Sequence, residues 1–426
     1  MSRILIRNAR LIDPASGFDE RGDIAVADGR IVGLGQVADF SPDTDIDATD
    51  QWIIPGLIDL AARLREPGAA RKADIASEAR AAAAGGITTL VMPPDTDPVM
   101  DTPSVIDWVA HRADAAHGAR VVTLGALTRG NQGETLSSMA ALAAAGCPAM
   151  SDAGVPIADS LVLRRALEYA QTFSLPSLLT PLDPTLSGGF MHEGPTATRL
   201  GLAGIPVAAE TAGLGRQIAV AKAAAARVHF GRLSSAEGVH LLNAARKDNR
   251  ALSGDVAIHH LFLTDQDAMD YDARFHLNPP LRDIVDREAL RQALADGVIE
   301  IICSDHQPHD ADAKAGPFAS TAAGASGVDT LLGLVLRLVE DQVLSLHAAL
   351  AAVTIAPARL LGLESGQLAE GAPADLAVVN PTAPWFCRLE TLNSRGTNSP
   401  FLGWEFSAQV SHTLVDGRLV HTTPGQ

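Results

Sequence analysis

The second half of the chain holds one carboxylate and several imidazoles that could serve metal chemistry. Asp305, His306 and His309 follow one apolar segment, and His259 and His260 follow another. A hydrolase that attacks an amide through water uses divalent metals held by at least three converging histidine and carboxylate ligands. Successive side chains of a strand point to opposite faces, so Asp305 and His306 should diverge. We therefore favour polar residues that close the end of a barrel over a metal site built from these residues.

Short apolar strands alternate with helical stretches of roughly 12 to 18 residues through the middle of the chain. The candidate strands cover residues 56–60, 87–92, 120–126, 148–151, 176–180, 227–232, 255–259 and 299–304. Eight such strands predict an α/β fold of the TIM (β/α)8 barrel type. An open doubly wound sheet is the alternative, but no Gly-x-Gly-x-x-Gly opens a helix after the first strand.

The carboxyl ends of barrel strands carry the chemistry in such folds. Unusual polar residues stand at these ends in this chain: Arg63, Arg65, Asp95, Ser151, Asp152, Thr180, Arg232, His259, His260, Asp305, His306 and His309. The barrel mouth is therefore the candidate site.

At both ends of the chain the pattern is different, because apolar and polar residues alternate there. The Asp28-Gly29 pair predicts a hairpin turn in the first such stretch, and a similar pattern returns at residues 413–420. We predict a small composite β domain formed by residues 1–54 plus 366–426, and a barrel over residues 55–365.

Composition excludes several classes of function. Lys and Arg number 33 against 50 Asp and Glu, and the net charge of −17 disfavours binding to nucleic acid or to an anionic membrane. The N-terminus lacks the features of a signal peptide, and no segment reaches about 18 uninterrupted apolar residues, so we expect a cytoplasmic protein. The three cysteines, Cys147, Cys303 and Cys387, are far apart and are expected to be buried thiols.

Four motifs resemble one enzyme family in their order and spacing. They are the segment from Pro55 to Gly68, the segment from Ala82 to Thr89, Leu277-Asn278-Pro279-Pro280-Leu281-Arg282, and Ser304-Asp305-His306-Gln307-Pro308-His309. Together they resemble the class I dihydroorotase branch of the amidohydrolase superfamily, whose zinc enzymes close carbamoyl aspartate to dihydroorotate. The resemblance covers nearly the whole chain and implies the same barrel and appended β domain.

The resemblance also implies which positions would hold zinc, and most of them have lost their ligands. The family's ligand positions correspond to Ala61, Arg63, Ala153, Thr180 and Arg232, and its eighth-strand carboxylate to Asp305. Alanine has no donor atom, and arginine is a permanent cation without a lone pair to offer. One carboxylate cannot hold a catalytic zinc against water, so we expect no metal and no other cofactor.

The replacements suggest a substitute for the metal. Arg63 and Arg232 place two guanidiniums near the former metal position, where Asp305 could pair with either or both. We hypothesise an internal ion pair or triad that keeps the mouth closed. The alternative is drift to residues that point away from the barrel centre.

Positions that contact substrate in the family have changed less. Arg65, Asn278 and His309 match the residues that hold the carboxylate and ring of dihydroorotate, whereas an asparagine of the family has become Asp95, whose charge would repel an anion. Arg65 could equally pair with an acidic neighbour, and Asn278 could form a turn before Pro279. We favour these structural roles.

Chains of this family without zinc ligands resemble the inactive dihydroorotase-like subunits associated with aspartate carbamoyltransferase. This resemblance implies a non-catalytic partner of the aspartate carbamoyltransferase catalytic subunit, as a homo-oligomer within a larger complex. One alternative is an active zinc-dependent dihydroorotase or other cyclic amidohydrolase with a site rebuilt from His259, His260, Asp305 and His309. The other is a sensor that binds an orotate-like anion without transforming it.

Overall fold

The computed structural model describes residues 3–424. The strands are β1 (Ile4–Asp13), β2 (Phe18–Ala27), β3 (Arg30–Gly35), β4 (Thr44–Asp47), β5 (Trp52–Pro55), β6 (Leu57–Asp59), β7 (Ile87–Met92), β8 (Arg120–Thr123), β9 (Gly125–Ala126), β10 (Met150–Ser151), β11 (Ser177–Leu179), β12 (Met191–His192), β13 (Gly204–Ile205), β14 (Val228–Phe230), β15 (Leu252–Ala257), β16 (Ile301–Cys303), β17 (Leu376–Asn380), β18 (Trp385–Phe386), β19 (Glu405–Phe406), β20 (Gln409–Val415) and β21 (Arg418–Thr422).

The α-helices are α1 (Ile75–Ala84), α2 (Pro103–Asp114), α3 (Met139–Ala144), α4 (Ser160–Thr172), α5 (Pro195–Leu200), α6 (Val207–Ala223), α7 (Ala236–Asp248), α8 (Ile284–Ala295), α9 (Ala311–Lys314), α10 (Leu331–Glu340), α11 (Leu346–Ala351) and α12 (Ile355–Leu361). Within residues 3–424, none of these helices combines the length and the apolar character needed to cross a bilayer.

The two ends of the chain share one sheet. Its strand order is β21-β20-β17-β5-β1-β2-β3, with β4 paired to β1. The β2–β3 turn uses Asp28 and Gly29, whose φ angles are 50° and 79°, as a tight hairpin turn requires. Asp416 and Gly417 repeat this turn between β20 and β21, with φ angles of 47° and 66°. The predicted hairpins are present, and the domain boundaries at residues 54 and 366 stay predictions.

Parallel strands form the barrel through the middle of the chain. β6, β7 and β8 form one run, and β9, β10, β11, β14, β15 and β16 form the other. The third strand changes partner at Leu124, whose N–H donates to Met92 O, whereas Gly125 N–H donates to Ala149 O. A parallel bridge between Ala62 and His306 closes the ring. Each of the eight predicted strands overlaps an observed one, and the predicted TIM barrel is confirmed.

The segment between β17 and β20 leaves the β sheet and packs on the barrel. Trp404 meets Phe262 edge to face, with ring centroids 6.0 Å apart. Asn398 accepts a hydrogen bond from the His309 backbone N–H at 2.9 Å and donates to the carbonyl of Gln307 at 3.0 Å. The carboxyl-terminal part of the chain therefore supports the loop that follows the last barrel strand. The three cysteines are buried, as predicted.

Candidate functional site

Several residues at the strand ends of the mouth adopt left-handed backbone conformations without being glycine. The φ angles are 52° at Ala153, 59° at Arg232 and 45° at Asp305, which follow β10, β14 and β16. Arg65 has a φ of 64°. Such conformations cost roughly 1–2 kcal/mol for a residue with a Cβ atom, so the surrounding packing must hold them. Backbone strain of this kind is found at functional sites; in this chain it occurs at the mouth and also at several turns away from it.

Asp305 lies between two guanidiniums at the centre of the mouth. Its Oδ1 accepts from Arg232 Nη1 at 3.1 Å and lies 3.4 Å from Arg63 Nη1. Its Oδ2 accepts from Gln307 Nε2 at 3.0 Å. The exposed fraction is 11% for each arginine side chain and 3% for Asp305. Both arginines thus point at Asp305, as the ion-triad hypothesis requires, rather than away from the barrel centre.

A second carboxylate balances the charge of this cluster. Arg63 Nε donates to Asp95 Oδ2 at 2.5 Å. From the sequence we expected the charge of Asp95 to repel an anionic substrate. We did not predict that Asp95 pairs with Arg63. Two arginines and two aspartates therefore form one ion cluster, which we name the mouth cluster: Arg63, Asp95, Arg232 and Asp305.

Burial and charge act in opposite directions on the mouth cluster. Burial raises the pKa of Asp305, but Arg232 and Arg63 outweigh it, and this pKa lies below its ordinary value. Burial lowers the pKa of Arg232, but the charges of Asp305 and Asp255 shift it above its ordinary value. Both groups are therefore ionised at neutral pH.

Further hydrogen bonds fix the position of Arg232. Its Nη2 donates to Thr180 Oγ1 at 3.2 Å, and Thr180 Oγ1 in turn donates to Asp152 Oδ1 at 2.9 Å. The backbone N–H of Arg232 donates to Asp255 Oδ1 at 2.6 Å. His229 Nε2 lies 2.9 Å from the other oxygen of Asp255. Two of the positions that the resemblance assigns to zinc ligands, Thr180 and Arg232, are thus hydrogen-bonded to each other.

The donor set at the mouth does not fit a catalytic zinc. Ala61 and Ala153 offer no side-chain donor, and the Thr180 hydroxyl is engaged with Asp152 and Arg232. The remaining carboxylate, Asp305, faces two fixed cations that would repel a divalent ion. The cavity bordered by Ala61, Ala153, Thr180 and Arg232 has a volume of only about 40 Å³, room for one or two waters.

The histidines expected in a rebuilt site do not converge on Asp305. The rings of His259 and His260 lie 4.6 Å apart, and His260 Nε2 is 3.2 Å from the carbonyl of Pro280. Burial lowers the pKa of His259 to about 4. His259 Nε2 and His260 Nδ1 are buried without a protein partner. The negative charge of Asp305 opposes this lowering of the His259 pKa, so the two side chains are near each other. Within residues 3–424, however, no three ligand atoms from His259, His260 and Asp305 come together as a metal site.

One group of potential ligands does converge elsewhere within residues 3–424. His192, Asp283 and Asp286 bring ligand atoms within 4.8 Å of one another. Arg282 Nη1 lies 3.2 Å from His192 Nδ1, and the carboxylates of Asp283 and Asp286 accept backbone N–H groups at the start of α7 and α8. Burial raises the pKa of Asp286, and the positive charge of Arg282 acts against this rise.

His306 points away from Asp305, as strand alternation predicts. Its Nε2 lies 2.9 Å from Glu78 Oε2, and its Nδ1 accepts from Gly327 N–H at 3.1 Å. Nε2 is therefore the protonated nitrogen, which donates to Glu78. This fully buried pair joins the eighth strand to α1 and is not available for chemistry.

Positive charge gathers beside the mouth cluster around one imidazole. Arg65 Nη2 lies 3.1 Å from His309 Nε2, and Lys72 Nζ lies 3.0 Å from His309 Nδ1. Burial, followed by the charges of Arg65 and Lys72, lowers the pKa of His309 to about 3. Burial and Arg63 lower the pKa of Arg65 to about 10. We name Arg65, Lys72, His309 and the nearby Lys314 the cationic cluster.

Asn278 does not join this cluster. The resemblance grouped it with Arg65 and His309, but its side chain is exposed and forms no hydrogen bond within residues 3–424. The structure brings Arg65 and His309 together and leaves Asn278 in the turn before Pro279, the structural role favoured from the sequence. Lys72 lies in the loop before α1, and Lys314 is the last residue of the short helix α9; no local sequence pattern places either of them next to His309.

Comparison with known proteins covers the whole chain. Residues 50–238 match the family described as dihydro-orotase-like, and residues 204–420 match the amidohydrolase family. A dihydroorotase-like protein from Pseudomonas aeruginosa is 46% identical over 98% of this chain and 99% of its own length. A dihydroorotase from Anaeromyxobacter dehalogenans is 42% identical over 99% of this chain and 98% of its own length.

The chain belongs to the dihydroorotase-like amidohydrolases. Solved structures agree at the level of the fold: an L-hydantoinase (dihydropyrimidinase) from Arthrobacter aurescens superposes with a TM-score of 0.87 at 22% identity, covering 99% of this chain and 96% of that one. In this dihydroorotase-like chain the amidohydrolase barrel is complete, and the mouth cluster occupies the place where strand ends converge.

Proposed function

We propose that this dihydroorotase-like protein is catalytically inactive and serves as a structural subunit required for the assembly or activity of aspartate carbamoyltransferase in pyrimidine biosynthesis. The observation that carries the proposal is the contact of Asp305 with both Arg63 and Arg232. Ion pairs occupy the positions at which the resemblance places the family's metal ligands.

The mouth cluster is poorly suited to the chemistry of the family. Opening or closing a cyclic amide through water needs a group that generates hydroxide near neutral pH. Guanidiniums donate hydrogen bonds but offer no lone pair and do not coordinate water as a metal does. Asp305 is a weak base because two cations lower its pKa. The remaining residues therefore supply neither an activated nucleophile nor a competent general base.

The intact fold supports a role that depends on shape. Relatives at 42–46% identity match over almost the full length of the chain, and an extended cluster of buried hydrophobic residues includes the barrel strands and helices. A protein without any function would lose packing residues as readily as ligands. The partner, the aspartate carbamoyltransferase catalytic subunit, is proposed from the family resemblance, and a homo-oligomer within the complex is the common arrangement for soluble assemblies.

Reconstitution with the transferase tests this proposal. The catalytic subunit of aspartate carbamoyltransferase from the same organism is purified alone and together with this chain, and carbamoyl aspartate formation and complex mass are measured. We expect one stable complex and a transferase that is active only, or mainly, when this chain is present. A transferase that is equally active and equally assembled alone contradicts the proposal.

A variant separates the structural role from residual catalysis. Asp305→Asn removes the one remaining carboxylate of the family's ligand set, so it abolishes any dihydroorotase activity that depends on it. The transferase should be supported equally by Asp305→Asn and by the unchanged chain, at a temperature where circular dichroism shows both to be folded. Dihydroorotase turnover by the unchanged chain that disappears in Asp305→Asn supports the alternative of an active cyclic amidohydrolase.

A second candidate function is the binding of an orotate-like anion at the cationic cluster. Arg65, Lys72 and Lys314 form no ion pair within residues 3–424. A cavity of about 200 Å³ borders Arg65, and Asp95 and Asp97 also line it. Burial, opposed by Asp272 and reinforced by Arg65, lowers the pKa of Lys314 to about 7. An anionic ligand would relieve this repulsion.

Calorimetry tests the second candidate. Dihydroorotate and carbamoyl aspartate are titrated into the unchanged chain and into Arg65→Gln. Binding heat that the substitution removes supports a sensor; the absence of heat and of a thermal shift in the unchanged chain excludes it.

A further inference from the structure

A large cavity lies at the amino-terminal end of the barrel, opposite the mouth. Its volume is about 470 Å³, in the range of small-molecule sites and well above that of the mouth cavity. One wall comes from the beginnings of β14 and β16, including Val228 and Ile301. The other comes from α11 and α12, including Ala351 and Ile355. The cavity is therefore separate from the mouth and plays no part in the proposed function.

The residues that line this cavity are of the types that bind an amphiphilic ligand. Much of its lining is apolar, and the exposed residues Arg227, Arg250 and Arg359 lie at its border. Among the lining residues that the structure describes, Glu300 is the one acid, and Arg246 pairs with it at 3.2 Å. Three positive charges therefore lack a carboxylate partner in a chain whose net charge is −17.

We propose that this cavity binds a small amphiphilic anion, with one carboxylate, sulfonate or phosphate group on an apolar body. The apolar body fills the space between the strand ends and α11–α12, and Arg227, Arg250 and Arg359 bind the anionic group. Guanidiniums bind such oxyanions in two-pronged geometry, and apolar walls supply the rest of the affinity. Arg227 is already oriented, because its Nη2 donates to the carbonyl of Leu360 at 3.1 Å.

A matched pair of probes tests both halves of the proposal. The anionic dye 8-anilinonaphthalene-1-sulfonate is titrated into the full chain and followed by fluorescence, and N-phenyl-1-naphthylamine supplies the same aromatic body without the sulfonate. We expect saturable binding of one anionic dye per chain, and at least about tenfold weaker binding of the neutral dye, since one charge-assisted contact is worth about that factor. Equal affinity for the two dyes overturns the proposal.

Variants place the bound dye in this cavity. Arg250→Glu with Arg359→Glu should weaken binding at least about tenfold. The control, Arg80→Glu with Arg199→Glu, makes the same change in net charge at exposed arginines away from the cavity and should leave affinity within about twofold. Ala348→Phe, at an exposed lining position, should block the cavity without changing charge.

Thermal melts confirm that each variant is folded before affinity is compared. Absence of saturable binding to the unchanged chain overturns the proposal, as does equal weakening by the control pair. Unchanged affinity in folded Ala348→Phe does so too. Inorganic phosphate and medium-chain carboxylates are then added as competitors, and the more effective of the two shows whether the cavity prefers a phosphate or a fatty carboxylate. If none of these anions displaces the dye, the cavity is not an anion site.

Discussion

Arg232 donates from Nη1 to Oδ1 of Asp305 over 3.1 Å, and these side chains keep only 11% and 3% of their surface exposed. The same carboxylate oxygen lies 3.4 Å from Arg63. A buried charge is tolerated when it is paired, and removal of one partner exposes the desolvation penalty of the other. The mouth of the barrel is therefore held together by charge at the positions that the family resemblance assigns to metal ligands.

Removal of Arg232 should destabilise the protein strongly. We expect Arg232→Met to lower the free energy of unfolding by roughly 3–5 kcal/mol, because Asp305 loses its shorter ion pair while it stays buried. Urea denaturation measures the change. Arg199→Met, at an exposed position, is the control and should stay within about 0.5 kcal/mol. A loss below about 1 kcal/mol for Arg232→Met would indicate that the pair contributes little to stability.

The carboxyl group of Asp59 predicts a dependence of stability on pH. Asp59 accepts the backbone N–H of Ser304 at 2.9 Å, and burial raises its pKa from 3.8 to about 6. Since the folded state binds this proton more tightly than the unfolded state, the contribution is complete below pH about 4 and is lost as the pH rises through 6. The difference of about two pKa units corresponds to on the order of 3 kcal/mol.

Asp59→Asn isolates this contribution from those of other buried carboxyl groups. The variant should gain stability relative to the unchanged chain as the pH rises from 4 to 7, and urea denaturation at each pH measures the difference. A difference that stays constant over this range would show that Asp59 does not titrate there.

Restoration of the family's ligand set should restore metal binding. The substitutions are Ala61→His, Arg63→His, Ala153→Asp, Thr180→His and Arg232→His. We expect this variant to retain about one zinc per chain after dialysis, because the left-handed backbone at residues 153, 232 and 305 is already in place. Elemental analysis measures the metal, and the same variant with Asp305→Asn should retain less. A folded variant without zinc would show that the strand ends no longer have the geometry of a metal centre.

The sequence predicted the eight barrel strands because each is a short apolar segment between helical stretches. It did not predict the change of partner at Leu124, since nothing in residues 120–126 marks a break. At the mouth, strand alternation correctly separated Asp305 from His306. Because Arg63, Arg232 and Asp305 all follow predicted barrel strands, the sequence also indicated that both arginines could pair with Asp305.

The remaining contacts of the site depend on distances that no local pattern contains. Asp95 lies in the loop after β7, and only the path of that loop places it 2.5 Å from Arg63. Asp152 was noted as a polar strand-end residue, but its bond to Thr180 required the relative register of β10 and β11. Lys72 approaches His309 from a loop before α1. Side-chain pairs that join different strands and loops of the barrel can be identified only from the three-dimensional structure.

The most direct test of the account is zinc content and dihydroorotase turnover measured on the same purified sample of this chain, expressed with excess zinc and then dialysed. We predict substoichiometric zinc and no conversion between carbamoyl aspartate and dihydroorotate, because Asp305 is engaged by Arg63 and Arg232. One equivalent of tightly bound zinc together with turnover that a chelator removes would contradict it.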